Sequence, residues 1–193
     1  MKFDLHTHTF YSDGIAAPEE IVEQAKRMNL DGIAITDHDN MKGLKRAKKT
    51  ADALGLILIP ATEITLPMGD ILAYGIEEMP KYPKNASPIE IMEKIHEMGG
   101  VTALAHPFGG YWPISFAEVI GTVKSGFDAI EIFNACVSLE ANIAAMEMAK
   151  KIRLPGIAGS DAHTADLVGT AFTACKKDIL SEIKKGKIEV GWI

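Results

Sequence analysis

Phe3-Asp4-Leu5-His6-Thr7-His8 closes the first apolar run of the chain, and Gly156-Ile157-Ala158-Gly159-Ser160-Asp161-Ala162-His163 closes the seventh. Each stretch reads as a short strand that ends in two metal-type donors spaced two residues apart. Alternate residues of an extended segment point the same way, so His6 and His8 can face one ion, and so can Asp161 and His163. The two pairs are far apart in sequence. Closing the sheet makes the first and seventh strands neighbours and joins the pairs, which favours a barrel over an open sheet.

Between these ends, apolar or β-branched runs alternate with amphipathic segments, the pattern of βα units around a parallel sheet. Strands are expected at Lys2–His6, Gly32–Thr36, Leu56–Ala61, Asp70–Ile76, Val101–Ala105, Ala129–Phe133 and Gly156–Gly159, with Ala171–Ala174 and Ile188–Trp192 in the tail. Helices are expected to open at Pro18, to run from Met41 to Leu54 before Gly55, and to open again at Pro88 before Gly99-Gly100. Further helices are expected near Ile114–Val123, over Leu139–Ile152 and from Ile179. The Pro67-Met68-Gly69 turn is too short for a crossover helix and points to a hairpin entering the fourth strand.

The chain has 193 residues, 47% hydrophobic and 24% charged. That is enough for a sizeable core in one domain over 1–193, and short of the roughly 250 residues of a full eightfold barrel. Lys and Arg total 20 against 26 Asp and Glu, a formal charge of -6, and no basic run offers a face to duplex DNA. Cys136 and Cys175 are too few for a disulfide framework and form no C-x-x-C pair. With no signal-like leader, and no apolar run near the roughly 18 residues of a membrane span, a cytoplasmic location without membrane contact is expected.

Of the six histidines, only His96 falls inside an expected helix. The others follow strands: His6 and His8, His38 within Asp37-His38-Asp39, His106 before Pro107, and His163. Glu63 ends the third strand in the same way. On one barrel rim these side chains converge. Several imidazoles with few carboxylates and no cysteine pair suit Zn, Mn, Fe or Ni better than Ca or Mg. Taken singly, Asp4, Asp37 and Asp39 read as caps or solvated loop residues, Lys42 as a solvated lysine, His96 as a surface histidine and Cys136 as a packed thiol. The concentration of donors on one rim is what marks a site.

Five elements in order, Asp4-Leu5-His6-Thr7-His8-Thr9 with Ser12-Asp13-Gly14, Ile35-Thr36-Asp37-His38-Asp39, the Glu63 element, Ala105-His106-Pro107 and Gly159-Ser160-Asp161-Ala162-His163, cover essentially the whole chain. Together they resemble the PHP domain, the polymerase and histidinol phosphatase family of metal-dependent phosphoesterases. The resemblance implies an α/β fold, a distorted sevenfold β/α barrel of TIM-like type, carrying two or three divalent ions, with Zn, Mn or Fe expected. It implies one ion held by His6, His8, Glu63 and Asp161, with Glu63 bridging to a second ion held by His106, and a third bound by Asp13, His38 and His163. Asp13 stands where some members use histidine. A further histidine that some members place at the end of strand four is replaced here by Tyr74-Gly75-Ile76, which leaves the second ion fewer ligands. Asn134, ending strand six, reads either as an additional ligand, direct or through water, or as a turn-forming cap.

Ions about 3.5 to 4 Å apart can activate a bridging water and neutralise phosphate oxygens, so the implied reaction is hydrolysis of a phosphate ester, with Glu63, His106, Asp161 and His8 the expected catalytic set. Thr36-Asp37-His38-Asp39 with Gly43-Leu44, and Ile130-Glu131-Ile132-Phe133-Asn134, are similar to small members acting on nucleotides or short oligonucleotides. A small phosphorylated substrate is expected. Larger members insert a helical domain between strands four and five, where Glu77–Val101 here is mostly one helix, so an open and shallow site is expected. Two bound divalent ions bring the formal -6 to about -2, which lets an acidic protein receive phosphate. A histidinol-phosphate phosphatase, an amidohydrolase (for which no bridging lysine is seen at a strand end) and a metal-binding module without catalysis are the alternatives.

Overall fold

The computed structural model describes residues 1–67, 69–109 and 126–193. The strands are β1 (Lys2–Asp4), β2 (Gly32–Ile35), β3 (Ile57–Ile64), β4 (Ile71–Tyr74), β5 (Val101–Leu104), β6 (Ala129–Asn134), β7 (Gly156–Gly159), β8 (Ala171–Cys175) and β9 (Ile188–Trp192). The described helices, numbered here α1 to α5, are α1 (Pro18–Arg27), α2 (Leu44–Leu54), α3 (Pro88–Glu97), α4 (Leu139–Ile152) and α5 (Ile179–Lys184). Local chemistry sets their ends. Pro18 and Pro88 occupy first turns, where no N–H is needed, and Ser87 and Glu90 close a capping box on α3. Gly55 stops α2 in the left-handed conformation at φ 67°. The helix expected near Ile114–Val123 lies outside the described residues.

All nine strands form one sheet in the order β7-β6-β5-β4-β3-β2-β1-β8-β9. Strands β1, β2 and β3 pair in parallel, as do β5, β6 and β7. Strand β4 runs antiparallel to both β3 and β5, and β8 and β9 are antiparallel as well. The barrel is therefore mixed rather than uniformly parallel. The short link from β3 returns the chain at the same rim, so β4 begins where its neighbours end. This corrects the reading of strand four: Tyr74 lies at the far end, fully buried, where its hydroxyl donates to the Leu5 carbonyl at 2.9 Å. The residue paired with Glu63 on β4 is Leu72, an alkyl group with no donor to give.

The sheet curls until its two ends meet. Beyond β1 and β7 an isolated parallel bridge joins Thr7 to Ala162, with His8 N donating to Ala162 O and Asp161 N to His6 O, both at 2.8 Å. Towards the other end, Thr173 of β8 joins β7 through its hydroxyl, which accepts from Ala158 N and donates to Ala158 O. Gly159 permits the approach, because a Cβ there would lie 2.5 Å from the His6 Cβ. The interior is filled by Phe3, Leu5, Ile59, Leu72, Tyr74 and Ile157 among many alanines, and α5 closes the bottom with Ile179 and Ile183. Helices α3 and α4 cover one outer face with Ile91, Met92, Ile95 and Met148, and α1 and α2 cover another with Ile21, Val22, Ala47 and Ala51. Among the described residues no helix is long and apolar enough to cross a membrane.

A candidate metal centre on the barrel rim

β1 and β5 end short of their expected histidines because the chain leaves the ladder there and turns its side chains inward. Most of the rim imidazoles are gripped by one nitrogen. His6 Nδ1 lies 2.9 Å from Glu131 Oε1, His38 Nδ1 lies 2.9 Å from Thr65 Oγ1, and His163 Nδ1 lies 2.8 Å from the Asp161 carbonyl. His8 Nδ1 faces Ser12 Oγ at 3.4 Å and Asp13 Oδ1 at 3.5 Å. With Nδ1 engaged, Nε2 is turned to the centre, the arrangement that orients imidazoles for a metal. His6 Nε2 and His8 Nε2 are 3.1 Å apart, and Glu63 Oε2 lies 3.0 Å from the first and 3.2 Å from the second. Asp161 Oδ1 lies 3.4 and 3.2 Å from the same two nitrogens. His106 Nε2 is 3.2 Å from Glu63 Oε1. On the solvent side, Asp13 Oδ2 lies 3.2 Å from His163 Nε2 and 3.6 Å from His38 Nε2.

Four overlapping groups of donors result: His6, His8 and Asp161; His6, Glu63 and His106; His8, His38 and Glu63; and His8, Asp13 and His163. The residues fit divalent cations on three counts. First, two imidazole nitrogens that face each other at 3.1 Å need a proton or a shared cation between them. Second, among the described residues the buried His106 Nδ1 has no hydrogen-bond partner, and Glu63 Oε1 meets only His106 Nε2, 3.2 Å away. Third, charge is missing. Burial alone would lower the basicity of His6, yet Asp161, Glu131 and Glu63 hold it well above the ordinary histidine range. Burial likewise opposes His8, but hydrogen bonds to the Asp161 and Glu63 carboxylates push it up to about 9. Burial would raise Glu63, and the imidazoles of His6, His106 and His8 instead hold it well below the usual carboxylate range. Without metal the cluster takes up protons to balance its acids.

A family model for the PHP domain matches residues 4–140, which contain most of these donors, and a second, for the PHP-associated segment, matches residues 140–188. The chain belongs to the PHP domain family. Strands matched by both models pair in the one sheet described above. An uncharacterized protein of Methanocaldococcus jannaschii is 34% identical over 146 residues, 70% of this chain and 82% of that one. A 5'-3' exoribonuclease of Haemophilus influenzae is 38% identical over 64 residues, 33% of this chain and 23% of that enzyme. Among solved structures, a two-domain protein of Bacteroides vulgatus containing a predicted PHP-like metal-dependent phosphoesterase superposes with a TM-score of 0.81 at 20% identity, over all of this chain and 64% of that one. The last likeness concerns the fold.

Around the donors, this PHP domain carries three buried carboxylates that single-residue reading passes over. Glu131 accepts from His6 Nδ1, from His106 N at 2.9 Å and from Asn134 Nδ2 at 3.0 Å. Asn134 also donates to Asp161 Oδ2 at 3.1 Å and accepts from Cys136 N, which engages its NH2 and one lone pair of its oxygen. A bulge between Glu131 and Phe133 brings residues three apart on β6 to the same side. Asp37 is buried, not solvated, and accepts from Thr9 N, Thr9 Oγ1 and Ser12 Oγ at 2.7 to 2.9 Å, fixing the loop that carries Asp13. Asp4, also buried, accepts from the N–H groups of His6, Ser160 and Gly169, tying the two donor pairs from below. Asp39 does act as a cap, on Thr65 N. Asp70, at the rim end of β4, is held by burial at about 6, with Glu63 raising it and His106 lowering it. His106 and Asp161 adopt left-handed backbone, φ 22° and 55°, which non-glycine residues keep only where neighbours hold them.

The remaining candidates fall outside the cluster. Lys42 is exposed. His96 is partly exposed and pairs with Asp128 at 2.9 Å. Cys136 is exposed rather than packed, although its thiol turns back to the Asp161 carbonyl at 3.3 Å and burial pushes that thiol up to about 11. A lone acid inside the apolar run Ile130-Glu131-Ile132-Phe133 is the sequence signal that identifies Glu131 as a buried, partnered group.

Proposed function

We propose that the protein hydrolyses a phosphate ester of a small substrate, a phosphomonoester, nucleotide or short oligonucleotide, at a centre of two or three divalent ions of Zn, Mn or Fe type. The convergence of five imidazoles, Glu63, Asp161 and Asp13 into overlapping donor groups carries this reading. His6, His8, Glu63 and Asp161 would hold one ion, Glu63 and His106 a second, and Asp13, His38 and His163 a third. Such ions, when bound, acidify water and neutralise phosphoryl oxygens.

The protein's own groups then have distinct tasks. Glu63 lies within 3.6 Å of His6, His8, His38 and His106 and keeps the inner donors at one spacing. Asp161 and His8, 3.2 Å apart, can pass a proton between them towards the solvent side of the rim. Asp13 and His163 are the exposed donors, with side chains 53% and 38% accessible, so phosphate reaches the outer group first. The similarity to an exoribonuclease over 64 residues supports nucleotides or short oligonucleotides as substrates. Location in the cytoplasm belongs to this proposal.

The test is a panel of aryl phosphomonoesters, phosphodiesters, nucleotides, short oligonucleotides and amides, assayed with chelator-treated protein resupplied with Mn or Zn. Release of phosphate or alcohol is expected only with metal. His38→Ala and Asp161→Ala should each lower the rate at least about a hundredfold with an unchanged circular dichroism spectrum. Metal-loaded protein that is inert on every phosphate ester would make it a non-catalytic metal-binding module.

A further inference from the structure

Glu131 touches the donors of the inner ions and none of the outer ones. Its Oε1 fixes the Nδ1 side of His6, its Oε2 fixes the backbone of His106, and through Asn134 it reaches Asp161. These ligands follow β1, β5 and β7. Asp13 and His38 take their supports elsewhere, from Ser12 and Asp37 and from Thr65, while His163 Nδ1 rests on the Asp161 carbonyl. We infer that Glu131 is the positioning residue of the inner ions, which it supports without touching Asp13, His38 or His163. The inference rests on the metal-centre reading above.

The reason lies in hydrogen-bond direction. Three donors point at the two oxygens of one fully buried carboxylate. A glutamine there presents an NH2 to at least one of those donors, and an acceptor-only role becomes impossible. His6 then loses the partner that keeps its proton on Nδ1 and its Nε2 free. With the amide turned the other way, His106 instead loses the acceptor of its N–H, which helps hold its left-handed backbone. Thr65 is the matching support outside, since its hydroxyl meets His38 Nδ1 on a solvent-facing residue and valine replaces it without a change of shape.

The experiment uses chelator-treated full-length protein titrated with Cd, counted by elemental analysis and followed by 113Cd NMR, in which each bound ion gives its own resonance. In Glu131→Gln the inner resonances should weaken in affinity about ten- to a hundredfold while the outer resonance stays. In Thr65→Val the outer resonance should weaken and the inner ones stay. Should Glu131→Gln fail to fold, Asn134→Ala keeps the Glu131 carboxylate, removes the link to Asp161 together with the acceptor of Cys136 N, and should weaken an inner resonance alone. Thr102→Val, which removes a buried hydroxyl that donates to the Gly126 carbonyl at 3.0 Å at the end of β5 away from His106, gives the effect of lost stability alone and should leave all resonances at native affinity. Glu131→Gln with native Cd affinity at every site, or Glu131→Gln and Thr65→Val weakening the same resonances, overturns the inference and leaves the functional reading standing. Wild-type protein that binds no Cd, Zn or Mn overturns both.

Discussion

His8 lies 3.2 Å from both Asp161 and Glu63, and at pH 7 without metal its pKa of about 9 makes it an imidazolium. A cation must displace that proton. Metal affinity should therefore rise with pH by about tenfold per unit for each proton displaced, up to about pH 9, and calorimetry in buffers of different ionisation enthalpy should show proton release on binding. Equal heats in all buffers at pH 7 would contradict this. The same group makes the metal-free protein pH-sensitive. Its folded pKa lies above the ordinary 6.5, so its contribution, about 3 kcal/mol at most, is whole below pH 6.5 and is lost as pH rises through about 9. Urea midpoints of stripped protein should fall across that window, and a flat profile would count against the buried ion pairs. The imidazoles were legible in the sequence because each follows an apolar run. Asp37 and Asp4 were not, since a carboxylate facing buried N–H groups looks the same in sequence as one facing water, and Glu131 was marked only by its place inside the apolar run Ile130-Glu131-Ile132-Phe133.

Strand β4 shows how direction, not existence, escapes a linear reading. The link of Thr65 to Asp70 is too short for a crossover and was readable as a hairpin, yet the end of the strand was still sought at Tyr74. Reversal places Asp70 and Leu72 beside the donors and sends Tyr74 under the core. Strands β1 and β7 pose a closer demand, because the two donor pairs meet only if their backbones do. Gly159→Ala puts a methyl 2.5 Å from His6 Cβ and 2.8 Å from His6 N, so it should cost about 1 to 3 kcal/mol in chemical denaturation and weaken metal binding together. Asp4→Asn sets an NH2 against three backbone donors that span β1, the end of β7 and the turn at Gly169. It should cost about 1 to 3 kcal/mol, and a variant as stable as wild type would remove Asp4 from this account.

Across the whole molecule, the ligands come from the ends of β1, β2, β3, β5 and β7, so ions bound there fasten most of the sheet. Each ion at a hundred times its dissociation constant should add about 2.7 kcal/mol to stability, seen as a rise in melting temperature that a chelator reverses. Barrel closure could be argued from the first and seventh strands alone, whereas the antiparallel insertion of β8 beside β1 had no signal beyond a strand in the tail. What the closure achieves is a rim whose buried acids keep protons on their imidazole partners until cations displace them. The most direct measurement follows bound metal and phosphate-ester hydrolysis in one sample as stripped protein is titrated with Mn or Zn. Hydrolysis should be absent from the stripped protein and grow in step with occupancy. Hydrolysis that persists in the stripped protein, or full occupancy with no hydrolysis of any phosphate ester, would contradict it.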